Sequence, residues 1–156
     1  MQSAVARVIG EAVKPLGFQR HGHSWYRVTS DLYAVINVQK SRWDESCYVN
    51  LAFSPASQAE NSWLPESKCQ VRFRLDSLTS VTPEGLLLLG VDSGREVAEV
   101  EFRSSLANKI GKPVAQFMSG ITGLGDLKDA LDSAVTERVF VNREMRSLLD
   151  STDEHP

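Results

Sequence analysis

Ile36-Asn37-Val38-Gln39-Lys40-Ser41 and, after a short polar gap, Tyr48-Val49-Asn50-Leu51-Ala52-Phe53 decide how this chain folds. Both runs alternate with a period of two, the signature of a strand with two unlike faces. Leu32, Ala34, Ile36 and Val38 share one face of the first strand, and Tyr33, Val35, Asn37 and Gln39 share the other. In the next strand Cys47, Val49, Leu51 and Phe53 alternate with Tyr48, Asn50, Ala52 and Ser54. If the two form a hairpin, residues directly opposite must share a face. Even-numbered core residues of one strand then oppose odd-numbered core residues of the other. A register with Ile36 opposite Leu51 satisfies this condition. It also sets Asn37 opposite Asn50 and makes Gln39 a neighbour of Tyr48 on the second face.

Working outward, Gln70 to Asp76 alternates again, with Val71, Phe73 and Leu75 inward and Arg72 and Arg74 outward. Phe18 to Val28 reads as one strand with an irregularity at Gly22. Before it, Val5, Val8, Ile9, Ala12 and Val13 recur at helical spacing, and Pro15 and Gly17 end that helix over residues 3–14. Residues 55–68 read as a polar loop. Thr82-Pro83-Glu84 is an N-cap followed by Pro at the first helical position. Arg95 to Ile110 reads as a helix, although Ala98, Val100 and Phe102 also fit a strand, and Pro113 to Met118 reads as a short helical turn. From Asp126 a single long helix is expected, its 4-3 apolar rhythm broken at Arg138. The expected fold is α+β: an N-terminal helix, a four-stranded antiparallel meander sheet, and a helical C-terminal half packed on the sheet. Residues 1–150 read as one domain and 151–156 as a disordered tail.

Composition is that of an ordinary globular protein with a formal net charge of −3. That balance argues against nucleic acid and anionic membrane as partners. No apolar run reaches transmembrane length, and the apolar residues of the N-terminus are interleaved with Arg7, Glu11 and Lys14, unlike a signal peptide. The expected location is the cytoplasm, with Cys47 and Cys69 as reduced thiols.

Several local phrases together resemble a known bacterial family. They are Pro15-Leu16-Gly17-Phe18, Trp25-Tyr26-Arg27, the two runs quoted first, and Cys69-Gln70-Val71-Arg72-Phe73-Arg74-Leu75. In order and spacing they look like the domain-of-unknown-function 4304 family, over roughly residues 1–76. The resemblance implies a fold and a bacterial source. It carries over no activity, cofactor or catalytic residues.

The candidate site is the second face of the sheet. Asn37, Gln39, Tyr48, Asn50, Arg72 and Arg74 share it if the strands are sequential neighbours. Guanidiniums among amides and a phenol suit a carboxylate or phosphate. The plainer reading is the solvated side of a one-sided sheet, although Asn and Gln are poor strand formers. Trp43, in a charged loop, is a candidate anchor for a protein partner. Trp25 and Tyr26 are adjacent, so one of them faces the core. His21-Gly22-His23 has metal-like spacing but lacks the further ligands a zinc site needs. Cys47 or Cys69 as a nucleophile requires an adjacent base that the sequence does not supply. The glycines at 120, 123 and 125 lack the strand and the Lys-Ser/Thr of a phosphate loop.

No acid, base and nucleophile converge, so the expected function is a small non-enzymatic binding protein without a cofactor or metal. Sequestration of a protein partner, as small acidic immunity-type proteins do, is one form of it. The alternative is an anion or small-molecule binding domain, or a minor enzyme, built around Arg72 and Arg74. Self-association through the last helix is a third reading.

Overall fold

The long central hairpin organises the computed structural model, which describes residues 3–42, 46–59, 63–90, 99–136 and 138–151. The first helix, α1 (Ala4–Val13), precedes three strands, β1 (Gln19–His21), β2 (Ser24–Val28) and β3 (Leu32–Lys40). β4 (Cys47–Pro55) follows, then a short helix α2 (Ala56–Ala59) and β5 (Val71–Arg74). The helical part comprises α3 (Pro83–Leu87), α4 (Glu99–Leu106), α5 (Lys112–Ser119), α6 (Leu124–Ser133) and α7 (Arg143–Ser151). A two-residue strand, β6 (Phe140–Val141), interrupts it.

The sheet is a six-stranded antiparallel meander in the order β1 to β6. Ile36 pairs with Leu51, Asn37 with Asn50 and Gln39 with Tyr48, the register that parity demands. β5 lies beside β4, pairing Leu51 with Phe73 and Asn50 with Arg74. Trp25 pairs with Ile36 and is buried, so it is the core member of the Trp25-Tyr26 pair.

Two features depart from the four-strand expectation. Residues 18–28 are a hairpin and not one strand. Gly22 takes a positive φ of 62°, which allows the chain to reverse between His21 and Ser24. The C-terminal segment is two helices and not one. Between them the chain runs beside 70–79, where Thr136 N donates to Ser77 O, Ser77 Oγ to Arg138 O and Asn142 N to Gln70 O. Backbone groups on the outer side of β5 are satisfied there, which a continued helix could not do. Asn142 Oδ1 then accepts from Met145 N at 2.8 Å and starts α7.

The helices cover one face of the sheet. Ser3 Oγ caps α1 by accepting from Ala6 N at 3.1 Å, and Val5, Val8, Ile9 and Val13 are buried. Each contributes about 1.5–3 kcal/mol if fully removed from water. Thr82 Oγ1 accepts from Gly85 N, and Pro83 sits in the first turn as expected. The segment read as one helix up to Ile110 passes from α4 into a π-helical turn over Ala107–Gly111 and continues into α5; its residues 95–98 lie outside the described ones. Gly111 lets this turn approach α1 closely: a Cβ there would stand 3.0 Å from Val8 Cγ1. Phe117 of α5 packs edge-on against Phe53 and Phe73 of the sheet.

Arg27 ties the layers together. Its Nη1 donates to Leu16 O at 3.1 Å, and its Nη2 to Met118 O at 2.8 Å and Ile121 O at 3.0 Å. The guanidinium also lies 4.7 Å from the Phe18 ring centroid. Among the described residues, no helix is long and apolar enough to cross a membrane.

Candidate functional site

The second face of the sheet is divided in two. Over one end Ala59, Trp63, Leu64 and Cys69, from the connection between β4 and β5, bury Tyr33, Val35 and Ala52. Tyr33 fastens this cover: its hydroxyl donates to Leu64 O at 2.6 Å and accepts from Leu64 N at 3.1 Å. Burial pushes the Tyr33 phenol up from its ordinary range. A segment expected to be a plain polar loop is therefore a lid with its own small apolar core. Cys69 belongs to this second cluster and not to the main core that its parity suggests. Burial pushes its thiol up to about 12, the reverse of the shift that activates a nucleophile. Cys47 is buried on the helix side of the sheet.

The other end of the face carries the expected amides. Asn50 Nδ2 donates to Asn37 Oδ1 at 3.2 Å and to Gln39 Oε1 at 3.1 Å. Asn37 Nδ2 in turn donates to Ser24 Oγ at 2.9 Å. Asn50 is only 7% exposed and Gln39 is exposed. The amides thus form a chain that runs from a buried centre outward. Each member orients the next, so the cluster is a rigid platform.

The two arginines diverge. Arg74 is exposed and lies 4.3 Å from the Tyr48 ring centroid, a cation–π contact that holds its fork in place. Arg72 leans over Phe140 at 4.4 Å and donates through Nη1 to Ser67 O at 3.1 Å. Its buried Nε has no partner among the described residues. Arg72 therefore braces the lid against β6, while Arg74 faces outward. Glu66, on the lid, is near both cations, yet burial dominates and raises its carboxyl pKa. A cavity of about 300 Å³ opens beside Arg74 and Tyr48, with Asp76, Leu86 and Leu89 in its wall.

His21 and His23 do not share a strand face, because the reversal at Gly22 separates them. His21 stacks on Trp63 at 4.1 Å with an interplanar angle of 11°. Among the described residues, no group of three or more His, Cys, Asp or Glu is placed to hold a metal ion. Trp43 lies outside the described residues.

A family model described as domain of unknown function DUF4304 matches residues 9–110. The chain belongs to this family. The match spans β1 to β5 and runs into the π-helical turn, further than the quoted phrases do. No curated protein and no solved structure matches the chain.

Ser24, Trp63 and Glu66 join the site without having been selected from sequence. Ser24 opposes Asn37 only because of the hairpin at Gly22. The other two sit in a loop without periodicity. The available signal was the aromatic character of Trp63, whose ring meets that of Tyr26 edge-on at 5.5 Å.

Proposed function

We propose that this DUF4304 protein is a non-enzymatic binding module that docks a protein partner on the open end of its second sheet face. Arg74 carries the reading. Its guanidinium is exposed, held against Tyr48, and makes no ion pair among the described residues. Arg and Tyr anchors in a fixed polar setting are what interface hot spots use. The partner surface that fits presents a carboxylate to Arg74 and backbone or amide groups to Gln39 and Asn37. Sequestration of that partner, in the immunity-type manner, follows if the docked surface is the partner's working one.

The test compares wild type with Arg74→Glu in affinity capture, followed by reconstitution of the purified complex. A partner held by wild type and weakened about a hundredfold by charge reversal supports the reading. A partner that binds both forms equally rules out this face.

The cavity beside Arg74 favours a second reading, a small carboxylate or phosphate as ligand. Thermal shifts with such anions, present in wild type and lost in Arg74→Ala without any protein partner, support that version instead.

A further inference from the structure

We propose a second, separate site for a phosphomonoester in the groove between α1 and the β1–β2 hairpin. Arg7, Glu11 and Lys14 follow the i, i+4, i+7 spacing of one helix face, and all line a cavity of about 510 Å³. Arg20 closes it from the β1 side, opposite Trp25 in register. Three cations and one carboxylate leave two positive charges in a protein whose overall charge is −3. Arg20 spends Nε on Gly22 O at 2.9 Å and lies 6.0 Å from the Trp25 ring centroid, so its terminal amino groups remain for a ligand.

The floor of the groove is Trp25. Trp25 is only 4% exposed, yet its indole N–H has no hydrogen-bond partner among the described residues. The N–H itself keeps some solvent contact, since among the described residues the fully buried side-chain atoms without a partner are Arg27 Nε and Arg72 Nε. The Nε1–Cζ2 edge of the ring packs against Gly10, where a Cβ would stand 3.0 Å from Nε1. The missing side chain at Gly10 lets the indole pack this closely against α1, at the groove wall. Donors thus converge from the helix, the strand and the floor. A tetrahedral oxyanion accepts from several directions at once, whereas a planar carboxylate is satisfied by one fork. The cavity exceeds the size of a bare phosphate, which leaves space for a small organic body on the ester.

The test is a titration of the intact protein with ribose 5-phosphate, inorganic phosphate and ribose, read on the indole N–H signals by NMR, with Trp25→Phe assigning the Trp25 signal. The expected result is a saturable shift of that signal with ribose 5-phosphate, a weaker one with inorganic phosphate and none with ribose. Lys14→Ala and Arg20→Ala each weaken binding about tenfold. Glu11→Gln tightens it, and Arg74→Ala leaves it unchanged, which separates this site from the Arg74 face. No shift of the Trp25 signal at millimolar ligand, or equal affinity in wild type and Arg20→Ala, overturns the proposal.

Discussion

Glu66 shows how a residue's environment sets a measurable property. Burial outweighs the pull of Arg72 and Arg74, so its carboxyl titrates above the ordinary value in the native state. The native state therefore holds the proton more tightly than the unfolded chain. Stability is greatest below the unfolded pKa of about 4.3 and declines as pH rises towards the native pKa, beyond which the loss is complete. Glu66→Gln is expected to be more stable than wild type at pH 7, with the advantage fading below about pH 4.3. Urea unfolding at the two pH values checks it, and a pH-independent difference contradicts it. At this scale the sequence was informative where periodicity applied. Asn37 and Asn50 could be set opposite each other because side-chain parity has a period of two. Glu66 could not be located, because nothing periodic ties a loop residue to the strand it covers. Arg72 and Arg74 have the same parity, yet only their neighbours, Phe140 and Tyr48, send one into the lid and leave the other outward.

Among the elements, the helices divide by how closely they approach others. Gly111 and Gly125 both lie in helical backbone, but only the first is crowded. A Cβ at 111 would stand 3.0 Å from Val8 Cγ1 and 3.4 Å from Ala12 Cβ, while one at 125 meets nothing within 4 Å. Replacement by Ala gains up to about 1 kcal/mol in helix propensity at either site. Overpacking costs about 1–3 kcal/mol at 111 alone. Gly111→Ala is therefore expected to destabilise and Gly125→Ala to stabilise, opposite signs that thermal melts of the two variants would read directly. The elements missed from sequence share a cause. The hairpin at Gly22 looks like a blemish in one strand, because a two-residue reversal leaves the alternation on either side intact. The last helix carries an apolar rhythm across Arg138, but the backbone at 134–136 and 138–142 leaves the helix to pair with 70–79. Helical and extended forms of so short a segment differ little in local energy, so distant backbone groups decide between them.

At the scale of the whole molecule, Arg27 joins parts of the chain far apart in sequence. It reaches carbonyls at the end of the α1 region and at the C-terminus of α5, which belongs to the helical layer. Arg27→Ala removes the guanidinium donors from those carbonyls, of which Met118 O keeps backbone donors, and removes the contact with Phe18. A loss of about 2–4 kcal/mol is expected in urea unfolding, and Arg27→Lys recovers only part of it, because an ammonium cannot span the same fork. A loss below about 0.5 kcal/mol, the ordinary surface value, contradicts the clamp. The six-stranded order was half legible for the same reason that the central register was. Alternation determined by itself that Ile36 faces Leu51, that Asn37 faces Asn50, and that β3, β4 and β5 present one apolar and one polar side, because each strand's two faces are set by its own backbone. Only the tertiary structure decided what lies on the polar side. Residues 56–59 and 63–70 cover one end and leave Asn37, Gln39, Tyr48 and Arg74 at the other. That choice depends on Tyr33, Trp63 and Leu64 meeting across the fold, contacts that no local pattern encodes.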